Sequence, residues 1–274
     1  MTEAFAPGHV TGFFVARRND DPLESGSVGA GFTIEDGVTV SVEEVGETRV
    51  FIEGEETEFE PVEKVVEMME VDITVEMEFD VPLGSGFGAS GAATLATGLA
   101  ANNELSLGKE REQIVAAAHT AEIKSETGLG DVCPQAIGGV VTRLDPGAIG
   151  VGTFGEIDHT DPTVTYTVLG ELDTSDVLGN EKKMERINET GEESIDRLLR
   201  YPSVAELTDV GWEFALETNL TTPAMEKMVT AARKKGAKAS MAMLGETVYA
   251  VEKEDDEETL ENVTGIDDEG ARVL

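Results

Sequence analysis

The sequence predicts an α+β fold in two domains, because segments with the period of strands and segments with the period of helices alternate along 274 residues. The clearest strand is a run of apolar residues that alternate with polar ones: Val71, Ile73, Val75, Met77 and Phe79. A glycine-rich loop and a helix of small residues follow it directly. A turn-rich region at 145–165 then separates the two halves, so we predict domains at 1–150 and 151–274.

The other elements follow from periodicity and from turn and cap signals. Strands are predicted at 10–16, 37–42, 48–52, 71–79, 137–144, 164–169, 238–243 and 247–251, with 37–42 and 48–52 forming a short hairpin. Helices are predicted at 91–101, 109–126, 181–200, 203–216 and 223–234. The last helix has Thr222 as its cap, Pro223 in its first turn and Gly236 beyond its end. The tail after Glu252 is predicted to be mobile or marginal.

The chain is strongly acidic, with 56 Asp and Glu against 20 Lys and Arg and a formal charge of −36. Its hydrophobic fraction of 40% is sufficient for a core, so this charge belongs on the surface of a folded body. The acids are spread along the chain rather than gathered in one tail. This distribution favours adaptation to a cytoplasm of molar salt over the alternative, a surface for a basic partner.

Several classes of protein are disfavoured. An acidic surface without a long Lys/Arg cluster repels nucleic acid. No apolar stretch approaches the ~20 residues of a membrane span, and the first residues lack the pattern of an export signal. The single cysteine, Cys133, excludes an internal disulfide framework and is expected to be a small buried residue rather than a nucleophile. We therefore expect a cytoplasmic protein without nucleic-acid or membrane partners, and a homodimer is compatible with the sequence.

The loop that follows the strand at 71–79 is the most informative segment. Its sequence, PLGSGFGASG, has glycines that let backbone amides approach a bound anion closely. Ser90 stands where the next helix begins, and the amides and dipole of a helix N-terminus favour phosphate. No Gly-Lys-Ser/Thr follows, so the loop is not a Walker A motif, and it does not fit GxGxxG with the expected downstream acid on a second strand. A tight turn that requires glycines is the alternative explanation.

Four polar side chains follow in a suggestive order. His119 and Glu122 share one face of the helix at 109–126, Asp131 lies in the turn beyond it, and Arg143 lies near the end of the next strand. A helix carboxylate can hold Mg²⁺, a loop aspartate can orient or deprotonate a hydroxyl, and an arginine can bind a carboxylate bidentately. Taken alone, His119 and Glu122 also fit a solvated helix face. Only their position after the glycine loop makes them candidates for one functional site.

The segment PLGSGFGASGAA resembles the phosphate-binding motif of the GHMP kinase superfamily, Pro-x-x-x-Gly-Leu-Gly-Ser-Ser-Ala-Ala. It differs from that motif at Phe87, Ala89 and Gly91 and keeps the hydroxyl of Ser90. The resemblance implies that this loop wraps the triphosphate of ATP. The residues that it assigns to the nucleotide are Pro82, Gly84, Ser85, Gly86, Phe87, Gly88, Ala89 and Ser90.

Two further segments extend the resemblance over nearly the whole chain. APGHVTGFF at 6–14 is similar to the first motif of the superfamily, with His9 in place of its lysine. The segment 237–245 takes the position of the third motif but lacks its usual run of glycines. The resemblance implies a two-domain GHMP kinase-like fold, with the site for ATP and substrate in the cleft between the domains.

Within the superfamily, APGHVTGFF, DPLESGSVGAG, HTAEIKSETGLGDV and GGVVTRLDPG look like the archaeal pantoate kinase family. That family phosphorylates the 4-hydroxyl of pantoate with ATP in archaeal coenzyme A biosynthesis. The resemblance implies that Ser90 and Glu122 bind ATP with Mg²⁺ and that Asp131 is the catalytic carboxylate.

On the substrate side, the same resemblance implies that Ser27, His119 and Arg143 bind pantoate, with Arg143 on its carboxylate. Two alternatives stay open at this point. One is a kinase of the same superfamily that acts on another hydroxy acid, such as shikimate or homoserine. The other is a non-catalytic ligand-binding relative that retains the fold.

Overall fold

The computed structural model describes residues 1–160, 162–170, 181–252 and 259–274. Within these ranges the chain forms seven helices and twelve strands, and the strands make two separate sheets. The α+β fold predicted from the sequence is therefore confirmed. None of the helices in the described ranges is long and apolar enough to cross a membrane.

The larger sheet is formed mainly by the first half of the chain. Its strands are β1 (Thr2–Arg17), β2 (Gly26–Glu44), β3 (Arg49–Ile52), β4 (Glu55–Glu56), β5 (Ile73–Phe79), β6 (Val140–Asp145), β7 (Thr153–Glu156) and β12 (Arg272–Val273). Their order is β12-β1-β2-β5-β3-β4, and β6 adds to β2 and β7 to β6. The long strand β2 thus pairs with β5 at one end and with β6 at the other.

Four helices accompany the larger sheet: α1 (Glu60–Met69), α2 (Ala89–Glu104), α3 (Arg111–Ser125) and α4 (Val132–Ile137). The small residues of α2 let it lie close to its neighbours. At Gly98, for example, an added Cβ would stand 2.8 Å from the side chain of Ile114 on α3. The loop that precedes α2 is therefore held on a buried and rigid helix.

The smaller sheet is antiparallel, in the order β11 (Asn262–Thr264), β8 (Thr163–Gly170), β10 (Glu246–Glu252) and β9 (Lys238–Ala242). Helices α6 (Val204–Glu217) and α7 (Pro223–Lys234) pack on this sheet, whereas α5 (Glu181–Arg200) packs against α6 and against β1 and β2 of the larger sheet. The two halves meet closely, because α6 lies against β1. A Cβ on Gly211 would stand only 2.7 Å from the carbonyl oxygen of Gly12.

The elements predicted by strong local patterns are confirmed. The helix over 223–234 has its predicted bounds, and the hydroxyl of Thr222 accepts from the amide of Met225 at its start. The other predicted helices, and the strands after residue 70, occur within three residues of their expected ends. Cys133 is buried, and burial raises the pKa of its thiol to about 12. A buried thiol of that pKa is an inert packing residue, as predicted.

Two predictions about the first half are corrected, and two helices there were missed. The segments 37–42 and 48–52 do not form a hairpin, since 37–42 belongs to the long strand β2 and β3 pairs in parallel with β5. The strand predicted at 10–16 begins at Thr2. Helices α1 and α4 were not predicted, although α1 buries an apolar face of helical period. The domain boundary at residue 150 stays a prediction, and the larger sheet takes β7 and β12 from beyond it.

The tail is also corrected where it is described. Residues 253–258 lie outside the described residues, but in 259–274 strand β11 pairs with β8 of the smaller sheet and the residues after it pack against the first half. The carbonyl oxygen of Asp267 accepts from the hydroxyl of Thr33 and the amide of Gly139, each at 2.7 Å. Strand β12 then pairs with β1. Because these partners lie more than 120 residues away in sequence, local patterns do not predict these contacts.

Candidate active site

A cavity of about 410 Å³ opens between the glycine loop, the start of α2, the turn before α4 and the β9–β10 turn. Its volume is in the range of small-molecule sites. The β9–β10 turn belongs to the smaller sheet, so both halves of the chain contribute to the wall. Eight of the sequence-predicted site residues line it: Ser27, Gly84, Gly86, Gly88, Ala89, Ser90, Asp131 and Arg143.

The glycine loop exposes its backbone to this cavity. Gly86 and Gly88 have φ values of 95° and 60°, in a region that residues other than glycine rarely adopt. A Cβ on Gly88 would also stand 2.9 Å from the Cβ of Asp131. Because α2 begins at Ala89, its first amides and the positive end of its dipole face the cavity. The loop is built to accept an anion at close range.

Three predicted loop residues do not line the cavity. Ser85 is fully buried and donates its hydroxyl to the carbonyl oxygen of Pro82. Phe87 is buried against the ring of Tyr166, with ring centroids 5.0 Å apart, and its carbonyl oxygen accepts from the amide of His9 at 2.8 Å. In this structure Pro82, Ser85 and Phe87 therefore fix the shape of the loop.

Glu122 lies behind Ser90 and is buried rather than on a solvated helix face. Its Oε1 accepts from the hydroxyls of Ser90 at 2.7 Å and Thr94 at 3.1 Å, and its Oε2 accepts from Thr127 at 3.0 Å. Burial raises the pKa of Glu122 to about 7 in spite of these three donors. Ionisation of a carboxylate in this position is costly, and a cation beside it would favour the ionised form.

Asp131 stands between the glycine loop and β1, with 29% of its side chain exposed towards the cavity. Its Oδ1 accepts from Nδ1 of His9 at 2.7 Å and from the hydroxyl of Thr11 at 3.2 Å. Burial opposes its ionisation, but the His9 hydrogen bond and the charge of Arg143 outweigh that effect. The pKa of Asp131 therefore lies below its usual value, and the group is a carboxylate at neutral pH.

Arg143 is a buried cation at the other wall of the cavity. Its Nε and Nη1 have no hydrogen-bond partner among the described residues, and only 2% of its surface is exposed. Burial lowers the pKa of Arg143 and the charge of Asp131 opposes that shift, yet a guanidinium stays protonated at neutral pH. Ser27, also nearly buried, lines the cavity with it. A buried guanidinium with free donors is completed by an anionic ligand.

The structure places His119 away from the cavity wall. It is buried, and its Nε2 donates to the carbonyl oxygen of Ser25 at 2.9 Å. Burial lowers the pKa of His119, so the ring is neutral at neutral pH. The alternative of a solvated helix face is thus wrong for His119 as well as for Glu122. Its structural link to the site runs through the segment that carries Ser27.

Sequence reasoning missed four residues that build this site. Gln135 donates to the loop at Gly88, Thr11 donates to Asp131, and Met243 and Leu244 close the cavity from the smaller sheet. Thr11 lies in the APGHVTGFF segment, which marked it without assigning a role. Met243 and Leu244 lie in the segment 237–245, which the resemblance marked in the same way. Gln135 gave no local signal, because its importance depends on contacts made after the chain has folded.

The fold and this site define a small-molecule kinase of the GHMP type. The model for the N-terminal domain of GHMP kinases matches residues 60–139, which include the glycine loop, Glu122 and Asp131. The chain belongs to the pantoate kinase family. It is 34% identical over 269 residues to the pantoate kinase of Methanocaldococcus jannaschii, with 96% of each chain covered. It is 30% identical over 272 residues to that of Thermococcus kodakarensis, with 94% of this chain and 90% of the relative covered.

Solved structures agree with this family. One described as a phosphotransferase related to the CoA biosynthesis pathway superposes with a TM-score of 0.91 at 28% identity, covering 100% of this chain and 98% of the other. Mevalonate-3-kinase from Thermoplasma acidophilum, with mevalonate bound, gives a TM-score of 0.70 at 13% identity, with coverage of 100% and 98%. The second likeness shows the shared fold alone.

Proposed function

We propose that this chain transfers the γ-phosphoryl group of ATP to the 4-hydroxyl of pantoate, which gives ADP and 4-phosphopantoate for coenzyme A biosynthesis. The observation that carries this proposal is the buried guanidinium of Arg143, which has donors without a partner among the described residues and which lines one cavity with Asp131 and the glycine loop. A carboxylate bound to Arg143 and a phosphate bound at the loop would place the substrate between them, with Asp131 alongside.

The nucleotide side of the site is assigned to the glycine loop and the first turn of α2. Amides at Gly86, Gly88 and Ala89 would receive the phosphates, because the loop brings the backbone to the cavity surface and the helix dipole adds positive potential. In a chain of charge −36, such local sources of positive potential are needed to attract an anionic nucleotide.

The residues at Ser90 and Glu122 fit a magnesium ion. They offer a hydroxyl oxygen and a buried carboxylate, and the described residues contain no larger cluster of metal-binding side chains. This is the pattern expected for Mg²⁺, which takes few protein ligands and completes its shell with water and phosphate oxygens. When bound, the ion would neutralise charge on the transferring phosphoryl group.

The substrate side is assigned to Arg143, Ser27 and the apolar wall. Arg143 would bind the carboxylate of pantoate bidentately, and Ser27 would hydrogen-bond beside it. Phe14 and Met243 line the same cavity and suit the two methyl groups of pantoate. We assign His119 an indirect part: by holding the carbonyl of Ser25 it fixes the strand start that presents Ser27.

Asp131 would orient the 4-hydroxyl and receive its proton. The hydroxyl oxygen bonds to the γ-phosphorus, the bond from that phosphorus to the β–γ bridging oxygen breaks, ADP leaves, and the proton passes to Asp131. Phosphoryl transfer mainly requires positioning and charge stabilisation, so a single carboxylate is sufficient as the base.

The test is ADP release with ATP and pantoate in molar KCl, for the native chain and for Asp131→Ala. We expect ATP binding to survive in the variant while turnover falls at least about 100-fold, as for loss of a general base. Asp72→Ala, which removes an exposed acid from the far end of the sheet, is the matched control and should leave turnover unchanged. Full turnover by Asp131→Ala would remove Asp131 from the mechanism, and no turnover by the native chain would refute the proposed function.

A further inference from the structure

His9 takes the place of the lysine of the first GHMP motif, and its surroundings are specific. The residue lies on β1 and none of its surface is exposed. Its Nδ1 is 2.7 Å from Oδ1 of Asp131. Because a carboxylate can only accept, Nδ1 carries the proton in this hydrogen bond. The ring therefore presents a directed donor to the acid that faces the substrate cavity.

The other end of the ring is closed off. Nε2 of His9 has no hydrogen-bond partner among the described residues. It faces Gly31 of β2, where an added Cβ would stand only 2.4 Å from Nε2 and 2.8 Å from Cε1. A doubly protonated ring would bury a charge and leave an unpaired N–H in this position. The ring is thus held as the neutral tautomer, and it reaches this position only because residue 31 is glycine.

The hydrogen bonds to Asp131 are one-sided. His9 and Thr11 both donate to Oδ1, and no described residue donates to Oδ2. The carboxylate is therefore fixed through one oxygen while the second stays available to a ligand in the cavity. This is the arrangement that a carboxylate needs if it is to accept a proton from a bound hydroxyl in a defined direction.

From this geometry we infer that His9 is a positioning residue for phosphoryl transfer: as a neutral donor seated against Gly31, it fixes Oδ1 of Asp131 so that Oδ2 faces the substrate hydroxyl. His9 itself neither touches the substrate nor transfers a proton. The inference rests on the proposed function, because it takes Asp131 to be the acceptor of the hydroxyl proton.

A matched pair of substitutions separates the effect of the hydrogen bond to Asp131 from the effect of filling the space of the ring. In His9→Asn the side-chain amide can take the position of Nδ1 and still donate to Asp131, whereas in His9→Gln it reaches towards the position of Nε2, next to Gly31. We expect His9→Asn to keep kcat within about tenfold of the native value and His9→Gln to lose about 100-fold, with KM for ATP within about threefold in both. Gly31→Ala keeps the histidine at residue 9 but displaces its ring, so this variant should also have a lower kcat.

A double-mutant comparison tests whether His9 acts through Asp131. We expect His9→Ala to lower kcat about 100-fold in the native chain but by no more than about twofold in the Asp131→Ala background, because residues that act as one unit are not additive. A purely structural role would give the full loss in both backgrounds. Thermal midpoints and ATP binding of every variant identify any that fails to fold, and the Asn and Gln variants then carry the comparison.

The pH profile gives an independent readout. The charged or titratable groups that face Asp131 are His9 on β1, Arg143 on β6 and Glu122 on α3. The His9 hydrogen bond lowers the pKa of Asp131, so its removal should raise that pKa. The acid limb of kcat against pH should therefore move to higher pH in His9→Ala and stay close to its native position in His9→Asn.

The outcomes are distinguishable. The inference about His9 is overturned if His9→Gln has the same kcat as His9→Asn. It is also overturned if His9→Ala lowers kcat as much in the Asp131→Ala background as in the native chain. In either case the role of Asp131 stands. If Asp131→Ala retains full turnover, both the proposed role of Asp131 and the inference fail together. A kcat that falls only where the donor is lost, with the shifted acid limb, supports the inference.

Discussion

Gln135 donates its side-chain amide to the carbonyl oxygen of Gly88 at 2.9 Å. Gln135 lies one turn into α4, whose N-cap residue is Asp131, and Gly88 is the last residue before α2. This hydrogen bond therefore ties the helix that follows Asp131 to the glycine loop.

We expect Gln135→Met to loosen this tie. The side chain keeps its size but loses its donor, so the free energy of unfolding should fall by about 1–3 kcal/mol and KM for ATP should rise about tenfold. Thr97→Val is the matched control, because it removes a buried donor to a backbone carbonyl within α2, away from the loop. Denaturant unfolding and steady-state kinetics measure both. An equal rise in KM for the two variants would show that the effect is general destabilisation.

Arg143 provides a test of carboxylate binding. Arg143→Lys keeps the charge but loses the planar fork, so KM for pantoate should rise at least about tenfold while KM for ATP stays within about twofold. Arg143→Met should lower kcat/KM for pantoate about 100-fold. The amide of pantoate is the matched ligand: the native chain should discriminate against it, and Arg143→Met should not. Equal discrimination by both proteins would place the carboxylate elsewhere.

The raised pKa of Glu122 predicts how the free energy of unfolding depends on pH when metal is removed with a chelator. Its pKa is about 7 in the folded chain and 4.5 is the ordinary value, so the folded state holds the proton more tightly. Its contribution to stability is therefore present below about pH 4.5 and is lost as pH rises through about 7, by on the order of 3 kcal/mol. Glu122→Gln should lack this component.

The measurement is the difference in free energy of unfolding between the native chain and Glu122→Gln, taken across that pH range. This difference cancels the contributions of His9 and His119, whose lowered pKa values act in the opposite direction. A difference that does not change with pH would mean that Glu122 is not a buried, reluctantly ionised acid. The same variant should need at least about tenfold more Mg²⁺ for half-maximal turnover.

The acidic surface gives a prediction about salt. Repulsion among 56 acids is screened to within about 3 Å in molar salt, so the thermal midpoint and the turnover number should both rise from about 0.1 M to about 2 M KCl. Sucrose at equal osmolality is the control, since it stabilises folded chains without screening charge. A flat response to KCl would contradict the interpretation of the acidity as adaptation to a salt-rich cytoplasm.

Local patterns predicted much of the fold. The helix at 223–234 was predictable because Thr222, Pro223 and Gly236 mark its ends, and the strand at 73–79 because its side chains alternate. Helix α1 was missed even though Val62, Val65, Val66 and Met69 have helical spacing, since the surrounding acids obscured the pattern. The docking of the tail depends on partners far away in sequence, and no local pattern contains that information.

The site shows the same division. The glycine loop was predictable because backbone exposure demands glycine there, and eight of the predicted residues do line one cavity. His119 shows the limit, because its spacing on the helix could not reveal that its ring turns to Ser25. The pairing of His9 with Asp131 joins residues 122 positions apart, so only the folded chain brings it into view.

The most direct test of the central claim is a comparison of kcat/KM for pantoate, shikimate and homoserine, measured as ADP release with ATP in molar KCl. The site of phosphorylation is then read from the phosphorus spectrum of the product. A cavity that pairs Arg143 with an apolar wall should favour pantoate by at least about 100-fold and give the 4-phosphate. Faster turnover of shikimate or homoserine would contradict the assignment of substrate.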